Sequence, residues 1–492
     1  MVLSLGLLAG STPRTANAVD DLKGRRPNVI LIMTDDQGYG DLACHGNPVI
    51  KTPHLDALHA GSVRFTDFHV SPTCSPTRSA LLTGRHEFKN GVTHTIHERE
   101  RLTLSATTLP QVLKSAGYAT GIFGKWHLGD EDAYQPGRRG YDEVFIHGAG
   151  GIGQSYPGSC GDVPRNSYFD PVVRHNGTFK KTQGYCTDVF FKRAEEWIGA
   201  VKGNAPFFCE ITPNAPHAPL DCPKGSDAPY QGKVPPNVAK FYGMITNIDE
   251  NVGKLLARLE EWGIEKETLV IFLTDNGSAT GSGVFNAGMR GAKGTAWEGG
   301  TRVPSFWRWP GTLPAGVDVS ALTCHYDVFP TLAELAGAKL DGEVAGQVEG
   351  RSLLPLLRDA GSPWADRYFV SHVGRWGTEV DPRVDSQVGR YDQCSVRWRN
   401  YHLVSPGKSA EKAWRLYDLT TDPGEQTDVA EKLPEVVARL DGFYDAWWAG
   451  IKPLLVNERV KGPDVNPFKA AYWNQYRGPG PNDAPPPSAA SQ

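Results

Sequence analysis

The stretch NVILIMTDD (residues 28–36) places a run of branched apolar side chains directly before two carboxylates. Three further runs have the same character: ATGIFG (119–124), PFFCEI (206–211) and TLVIFL (268–273). Short apolar runs of this kind, bounded by turn residues, are typical of strands that are buried on both faces. Residue 28 therefore begins a predicted strand at the centre of a layered fold.

Helix-like segments lie between these strands, at residues 108–117, 187–201 and 241–263. Alternating strands and helices predict an α/β fold with a large, doubly wound, mainly parallel sheet flanked by helices. In such sheets, ligands bind outside the carboxyl ends of the strands. The chain places polar residues directly after each of the four strands: Asp35 and Asp36, Lys125 and His127, His217, and Asp275 and Asn276. Any one of these could be an ordinary loop, but the four together favour one shared site.

The domain organisation follows from changes in composition along the chain. We expect a catalytic domain over residues 27–355 and a smaller α+β subdomain over 360–455. In the latter, residues 394–406 and 414–425 form a short antiparallel pair and 433–451 a closing helix. Residues 456–492 are rich in Pro and Gly and are expected to form a tail. Residues 1–18 resemble a signal peptide that lacks a basic start, which predicts export to the periplasm or outside the cell.

Composition and charge exclude several functional classes. A formal charge of -4 gives no electrostatic basis for binding nucleic acid, and no apolar run is long enough to span a membrane. The chain has eight cysteines and no CxxC pair, which argues against a structural zinc site or a redox motif. Export would permit disulfides, but their connectivity cannot be deduced from the sequence.

The first group of candidate site residues offers only oxygen ligands. These residues are Asp35, Asp36, Asp275 and Asn276. Oxygen donors suit a hard divalent cation, Ca²⁺ with Mg²⁺ as the alternative, rather than zinc or copper. Three carboxylates at one sheet edge would repel one another without a cation. Their alternative interpretation is that they cap helices and form turns.

The second group is cationic or carries a proton. It consists of Arg78, Lys125, His127, His217 and Lys293. Lysine and arginine beside a divalent metal describe a pocket for a small tetrahedral oxyanion, with histidines available for proton transfer.

Cys74, in CSPTR (74–78), is predicted at the first turn of a helix, with Arg78 one turn further on the same face. The position would suit a thiolate nucleophile. However, sulfur is a poor partner for a hard cation held by oxygen. The mismatch predicts that residue 74 presents oxygen in the mature protein.

The motifs in chain order resemble those of the formylglycine-dependent type I sulfatases of the alkaline phosphatase superfamily. The segments are NVILIMTDDQGYGD, CSPTRSALLTGR, GKWHLG, PGRRGYDE, PHAP, LTDNG and GAKGTAWEGGTRVP. The resemblance covers about residues 27–450.

The resemblance implies that a formylglycine-generating enzyme converts Cys74, whose hydrate then attacks sulfur. Asp35, Asp36, Asp275 and Asn276 would hold Ca²⁺ together with the modified residue 74. His217 with Lys293 would protonate or stabilise the departing alcohol, and His127 would take the proton of the second hydroxyl. Arg78 would position the hydrate, while Lys125 and Lys293 would neutralise sulfate oxygens.

Three functions remain open on this basis. The first is hydrolysis of a sulfate ester, with a carbohydrate sulfate as the favoured substrate and an aryl sulfate as the alternative. The second is a phosphodiesterase or phosphonate monoester hydrolase of the same superfamily. The third is a non-catalytic protein that binds sulfated glycans and keeps Cys74 as a thiol.

Overall fold

A ten-stranded sheet lies at the centre of the protein in a computed structural model, which describes residues 22–377, 380–381, 383–384, 389–407, 411–456 and 462–477. The strands are β1 (Asn28–Thr34), β2 (Val63–Phe65), β3 (Phe68–His69), β4 (Ala119–Lys125), β5 (Glu143–His147), β6 (Val172–His175), β7 (Thr178–Lys181), β8 (Phe207–Thr212), β9 (Thr268–Thr274), β10 (Ser305–Arg308), β11 (Val317–Val319), β12 (Thr323–Cys324), β13 (Tyr368–His372), β14 (Cys394–Trp398), β15 (Tyr401–Ser405) and β16 (Arg415–Asp418). The helices are α1 (Pro53–Ala60), α2 (Cys74–Thr83), α3 (Leu109–Ser115), α4 (Cys186–Val201), α5 (Pro236–Glu261), α6 (Glu298–Thr301), α7 (Val328–Leu335), α8 (Gly342–Gln347), α9 (Leu354–Arg358), α10 (Pro434–Ile451) and α11 (Pro467–Tyr476).

Strand β1 is buried on both faces, as its sequence predicts. Val29, Leu31 and Met33 point into one hydrophobic core, whereas Ile30 and Ile32 point into the other. This division follows from the strand's period of two, which sends successive side chains to opposite faces. A strand with water on one face would need polar residues at every second position.

The sheet order is β11-β2-β10-β9-β1-β8-β4-β5-β6-β7. The five central strands, from β9 to β5, run parallel, and β10, β6 and β7 add antiparallel neighbours at the two sides. The register aligns Thr34 with Thr274, so the residues that follow β1 and β9 emerge side by side. The predicted large, mainly parallel sheet is confirmed, although sequence patterns did not reveal its antiparallel margins.

Helices cover both faces of this sheet. Helices α1, α4 and α5 pack together over one face, and α2, α3 and α7 pack over the other. The three predicted helical segments correspond to α3, α4 and α5, although α5 begins at Pro236. Within the described residues, no helix is long and apolar enough to cross a membrane. All eight cysteines are unpaired.

The C-terminal part carries a separate antiparallel sheet of four strands in the order β13-β14-β15-β16, backed by α10. The antiparallel pairing predicted for residues 394–406 and 414–425 is present, but the first segment alone supplies two strands, β14 and β15. Buried Arg397 of β14 joins this sheet to the large one, because it contacts Asp67 at 3.1 Å and Glu298 at 3.0 Å.

Helix α11 falls inside the segment that composition assigned to a tail. Phe468 and Tyr472 of this helix pack against Phe179 of β7 at ring distances of 5.0 and 5.5 Å. The aromatic residues of 467–476 explain why a helix forms where composition predicted a tail, since they bury apolar surface. The high Pro and Gly content of residues 456–492 as a whole conceals this short aromatic segment. Residues 478–492 and the signal-peptide-like residues 1–18 lie outside the described residues, and the domain boundaries stay predictions.

Candidate active site

The carboxyl ends of β1, β9, β4 and β8 bring the predicted polar residues to one edge of the sheet. Ligand atoms of Asp35, Asp275 and Cys74 all lie within 4.8 Å of one another. The backbone N–H of Asp36 donates to Asp275 at 3.2 Å, and the Asn276 amide donates to Asp36 Oδ1 at 3.0 Å. The four predicted oxygen ligands therefore form one buried cluster with Cys74.

Two oxygen atoms of this cluster have no hydrogen-bond partner among the described residues. Within the described residues, Asp35 Oδ1 and Asn276 Oδ1 are buried and unpaired. Burial, reinforced by repulsion from Asp35, raises the pKa of Asp275 to about 6. Buried oxygens without partners are rare because each costs the free energy of desolvation. The donor set and its orphaned atoms fit a hard divalent cation.

Each carboxylate of the cluster also has one cationic partner. Lys125 Nζ lies 2.7 Å from Asp35, Arg78 Nη2 lies 2.7 Å from Asp275, and Lys293 Nζ lies 2.7 Å from Asp36. These pairs leave the cluster near neutrality on their own. A bound divalent cation would make the cluster positive, as binding of an anion requires.

The two lysines differ in exposure. The Lys125 side chain is completely buried, whereas 19% of the Lys293 side chain is exposed. Burial alone would lower the pKa of Lys293, but Asp36 raises it above its usual value. Lys293 is therefore a permanently charged group that is accessible from solvent.

Helix α2 begins at Cys74, and Pro76 lies in its first turn, as the sequence predicts. The Arg78 guanidinium also donates to the Lys125 carbonyl oxygen at 3.3 Å, which fixes it in place one turn after Cys74. Burial raises the pKa of the Cys74 thiol, although Lys125 and Lys293 oppose the change. An unmodified Cys74 would therefore be a neutral thiol among oxygen ligands and cations, so the geometry does not favour a thiolate nucleophile.

His127 is held in one tautomer. Its Nε2–H donates to the carbonyl oxygen of Thr95 at 2.7 Å, while Nδ1 is buried and has no hydrogen-bond partner among the described residues. Its backbone has a φ of 60°, a sparsely populated conformation that is characteristic of functional sites. Burial, with Lys125 nearby, lowers the pKa of His127 well below its usual value. Nδ1 is therefore a bare nitrogen that can accept a proton.

His217 faces the carboxylate cluster from the loop after β8. Its Nδ1–H donates to the Ala218 carbonyl at 2.7 Å, and its Nε2 lies 3.8 Å from Asp36 Oδ2. Burial lowers the pKa of His217 to about 4. The Tyr168 hydroxyl group lies 2.6 Å from the His217 carbonyl oxygen and helps to fix this loop.

All ten predicted site residues thus lie at this edge of the sheet. Sequence reasoning missed three supporting features: the Thr95 carbonyl, the hydroxyl of Tyr168 and the glycine at 150. A Cβ on Gly150 would lie 2.5 Å from Cε1 of His127. The run HGAGG (147–151) could have indicated the role of Gly150, since clustered glycines often mark a position where the backbone closely approaches another group.

The loop that carries Thr95 also contains His94, and histidine is a common metal ligand. His94 instead accepts hydrogen bonds from the backbone N–H groups of Thr95 and Ile96, at 2.7 and 3.2 Å. Its imidazole therefore shapes the loop, and the loop contacts the site through a backbone carbonyl.

Comparison with protein families gives two matches. A model described as Sulfatase matches residues 27–338, and one described as N-sulphoglucosamine sulphohydrolase, C-terminal, matches residues 292–441. Human arylsulfatase A is 32% identical over 460 residues, covering 85% of this chain and 86% of its own. Human N-acetylgalactosamine-6-sulfatase is 33% identical over 433 residues, covering 81% of each.

A solved structure, Ps i-CgsB in complex with k-i-k-neocarrahexaose, superposes on this chain. The TM-score is 0.76 at 26% identity, and the match covers 92% of this chain and 98% of the other. A phosphonate monoester hydrolase of Agrobacterium radiobacter shares the fold, with a TM-score of 0.62 at 21% identity.

Proposed function

Because the chain belongs to the sulfatase family and is a sulfuric ester hydrolase, we propose that it removes sulfate from a carbohydrate, releasing the desulfated sugar and inorganic sulfate. Support for the carbohydrate comes from the similarity to N-acetylgalactosamine-6-sulfatase and to a structure complexed with a neocarrahexaose. Aryl sulfates are the second substrate class, in view of the similarity to arylsulfatase A. The observation that carries the proposal is the cluster of three carboxylates, each paired with a cation, around Cys74.

We propose that residue 74 acts as formylglycine and that Ca²⁺ occupies the oxygen cluster. Asp35, Asp36, Asp275 and Asn276 would hold the ion together with the modified residue 74, and the unpaired Asp35 Oδ1 and Asn276 Oδ1 are the atoms best suited to it. The ion would supply positive charge for sulfate oxygens, and the hydrated aldehyde would supply a hydroxyl nucleophile. Conversion requires a formylglycine-generating enzyme as a partner during maturation.

The remaining residues have separable roles in this proposal. Lys125 and Arg78 are each held inside the site by a carboxylate, Asp35 and Asp275 respectively. In this proposal Lys125 balances the negative charge of the sulfate oxygens, and Arg78 keeps the side chain of residue 74 in its orientation. His127 holds Nδ1 bare and receives the proton that leaves residue 74. Its low pKa keeps the ring neutral and ready to accept.

Lys293 and His217 both lie beside Asp36, so we place them at the departing oxygen. At neutral pH His217 is neutral, whereas Lys293 keeps its proton. Lys293 is therefore the group that can donate a proton to the departing alcohol oxygen. His217 lies beside the same carboxylate and would stabilise or relay that proton. The exposure of Lys293 agrees with a position where the sugar enters.

Release of inorganic sulfate from a panel of sulfated mono- and disaccharides, with an aryl sulfate as reference, tests the substrate class. We expect at least one sugar sulfate to be turned over with a higher kcat/KM than the aryl sulfate. Turnover confined to aryl sulfates would contradict the carbohydrate assignment.

Two other functions predict different results. A phosphodiesterase or phosphonate monoester hydrolase would prefer an aryl phosphodiester over an aryl sulfate by a large factor in kcat/KM. A non-catalytic glycan-binding protein would bind sulfated sugars but release no sulfate. The phosphonate monoester hydrolase supports only a common fold, so neither alternative has a specific observation in its favour.

We propose further that the protein is exported, on the strength of the short apolar run in residues 1–18. Cell fractionation of the native host with an antibody against the mature chain tests this, and the expected location is the periplasm or the medium. Recovery of the full-length chain in the cytosol would contradict export.

A further inference from the structure

A second group of potential metal ligands lies apart from the carboxylate cluster. Cys44 and His45 belong to the 3₁₀ turn Ala43–His45, and His59 belongs to the last turn of α1. One ligand atom from each residue lies within 4.8 Å of the other two. A sulfur and two imidazole nitrogens form a donor set for zinc, and they contrast with the oxygen donors of the active site.

The separation of these atoms is close to that of a metal site. Zinc bonds of about 2.0–2.3 Å in tetrahedral geometry place neighbouring ligand atoms about 3.3–3.8 Å apart. Because the three ligand atoms lie within 4.8 Å of one another, small rotamer adjustments of these partly buried side chains would bring them into this range. Cys44 differs in this respect from the six fully buried cysteines, and only Cys222 shares its partial exposure.

His45 is already oriented for such a role. Its Nδ1–H donates to the Tyr39 carbonyl at 2.8 Å, and its ring stacks on the Tyr39 ring at 3.7 Å. Among the described residues, no hydrogen bond engages His45 Nε2 or either ring nitrogen of His59. Metal-binding histidines commonly donate their second N–H to a carbonyl in this way, which fixes the tautomer and leaves the other nitrogen available.

Burial leaves the imidazoles of His45 and His59 in the neutral form that binds metal. Burial lowers the pKa of His45 to about 3 and also lowers that of His59, so both rings are neutral. Burial, with Asp56, raises the pKa of the Cys44 thiol. The neighbouring Arg64 is neutralised by Asp318 at 2.6 Å.

We propose that Cys44, His45 and His59 bind one zinc ion that ties the turn at 43–45 to helix α1. On binding, the Cys44 S–H bond breaks, the proton goes to solvent and a sulfur–zinc bond forms. Water fills the fourth position, since three protein residues supply ligands. Because Tyr39 links His45 to the loop that begins at Asp35 and Asp36, the ion would brace the segment that follows the active-site carboxylates.

The absence of a CxxC pair argued against a structural zinc site, but the three ligands of this site come from one turn and from a helix, with His59 fourteen residues after His45. The fold brings them together by packing α1 against the turn.

Titration of the full-length chain with Co²⁺, in saturating Ca²⁺, tests the proposal through the sulfur-to-cobalt charge-transfer absorption. We expect the band to appear and to saturate at one equivalent of Co²⁺, and to disappear when Zn²⁺ displaces the Co²⁺. The Cys74→Ala variant should give the same band. Cys44→Ser and His59→Asn should each abolish or weaken binding by at least about 10-fold, whereas the matched control Cys222→Ser should retain it.

Zn²⁺ should also raise the thermal unfolding midpoint of the wild-type chain and of Cys222→Ser but not of His59→Asn. Absence of the band in the wild-type chain, or a band that persists in Cys44→Ser, would overturn the proposal. If Cys44→Ser does not fold, His59→Asn decides between the outcomes, since it leaves the thiol in place.

Discussion

The Nε2–H of His127 donates to the carbonyl oxygen of Thr95 at 2.7 Å, and this one bond leaves Nδ1 bare inside the active site. A backbone acceptor cannot change its charge with pH. The tautomer of the proposed base is therefore fixed by the fold of the loop around Thr95, and the protonation state of its other nitrogen depends on burial and on Lys125.

The pH dependence of kcat/KM follows from this arrangement. A base acts in its neutral form, and the pKa of His127 lies well below 6.5, so the neutral ring persists as the pH falls. In saturating Ca²⁺, which keeps Asp275 ionised, we expect kcat/KM for a sulfate ester to stay constant from pH 7.5 to 6.5 and to decrease only at markedly lower pH. An inflection near pH 6.5 in the acid limb would contradict the assignment.

Substitution of Gly150 tests the position of the His127 ring. In Gly150→Ala the new methyl group would lie 2.5 Å from Cε1 of His127, so the ring must move. We expect kcat to fall by about 10- to 100-fold with a smaller change in KM, since a displacement near 1 Å has such an effect. Gly137→Ala is the matched control, because no atom of the described residues lies within 4 Å of its Cβ position, and it should keep wild-type kinetics. Equal kinetics for the two variants would mean that Gly150 has no such role.

Lys293 and His217 are expected to contribute most to kcat when the alcohol is a poor leaving group that needs a proton to depart. Lys293→Met and His217→Ala should reduce kcat by about 10²–10⁴ on a sugar sulfate, the range for general acid catalysis. With a nitrophenyl sulfate the loss should be much smaller, because nitrophenolate departs without a proton. Lys293→Arg keeps the charge and should retain more activity than Lys293→Met. An equal loss on both substrates would place these residues elsewhere in the reaction.

Asn276 should contribute to binding of the cation through its unpaired Oδ1. We expect Asn276→Ala to weaken Ca²⁺ binding by at least about 10- to 100-fold, the range that loss of a group supporting a ligand already causes. Calcium titration of activity after chelation, together with calorimetry, measures the change. Asn247→Ala is a control, since Asn247 is also buried but donates from α5 to Asp188 of α4, away from the cluster. Unchanged Ca²⁺ affinity in Asn276→Ala would remove Asn276 from the ligand set.

The central strands and the residues that follow them could be predicted from sequence, because a strand buried on both faces leaves a continuous apolar run. The short strands β2, β10 and β11 could not, since runs of three or four residues carry no periodicity of their own. Helix α11 was concealed by the prolines around it.

The active site likewise has features that the sequence could predict and features that it could not. Side chains that carry charge, such as Asp35 or Lys125, are visible in a sequence, and the strand ends place them. Contacts made by the backbone are not visible, because a carbonyl such as that of Thr95 belongs to every residue type. Tyr168 and Gly150 act through the shape of loops, which no local pattern specifies.

Mass spectrometry of the peptide spanning residues 65–78, from protein purified from its native host and assayed in parallel, tests the central claim most directly. We predict that active preparations contain residue 74 as formylglycine, so that the peptide is lighter than its cysteine form, and that the converted fraction scales with kcat per chain. Full activity from a preparation in which residue 74 is entirely cysteine would contradict the account.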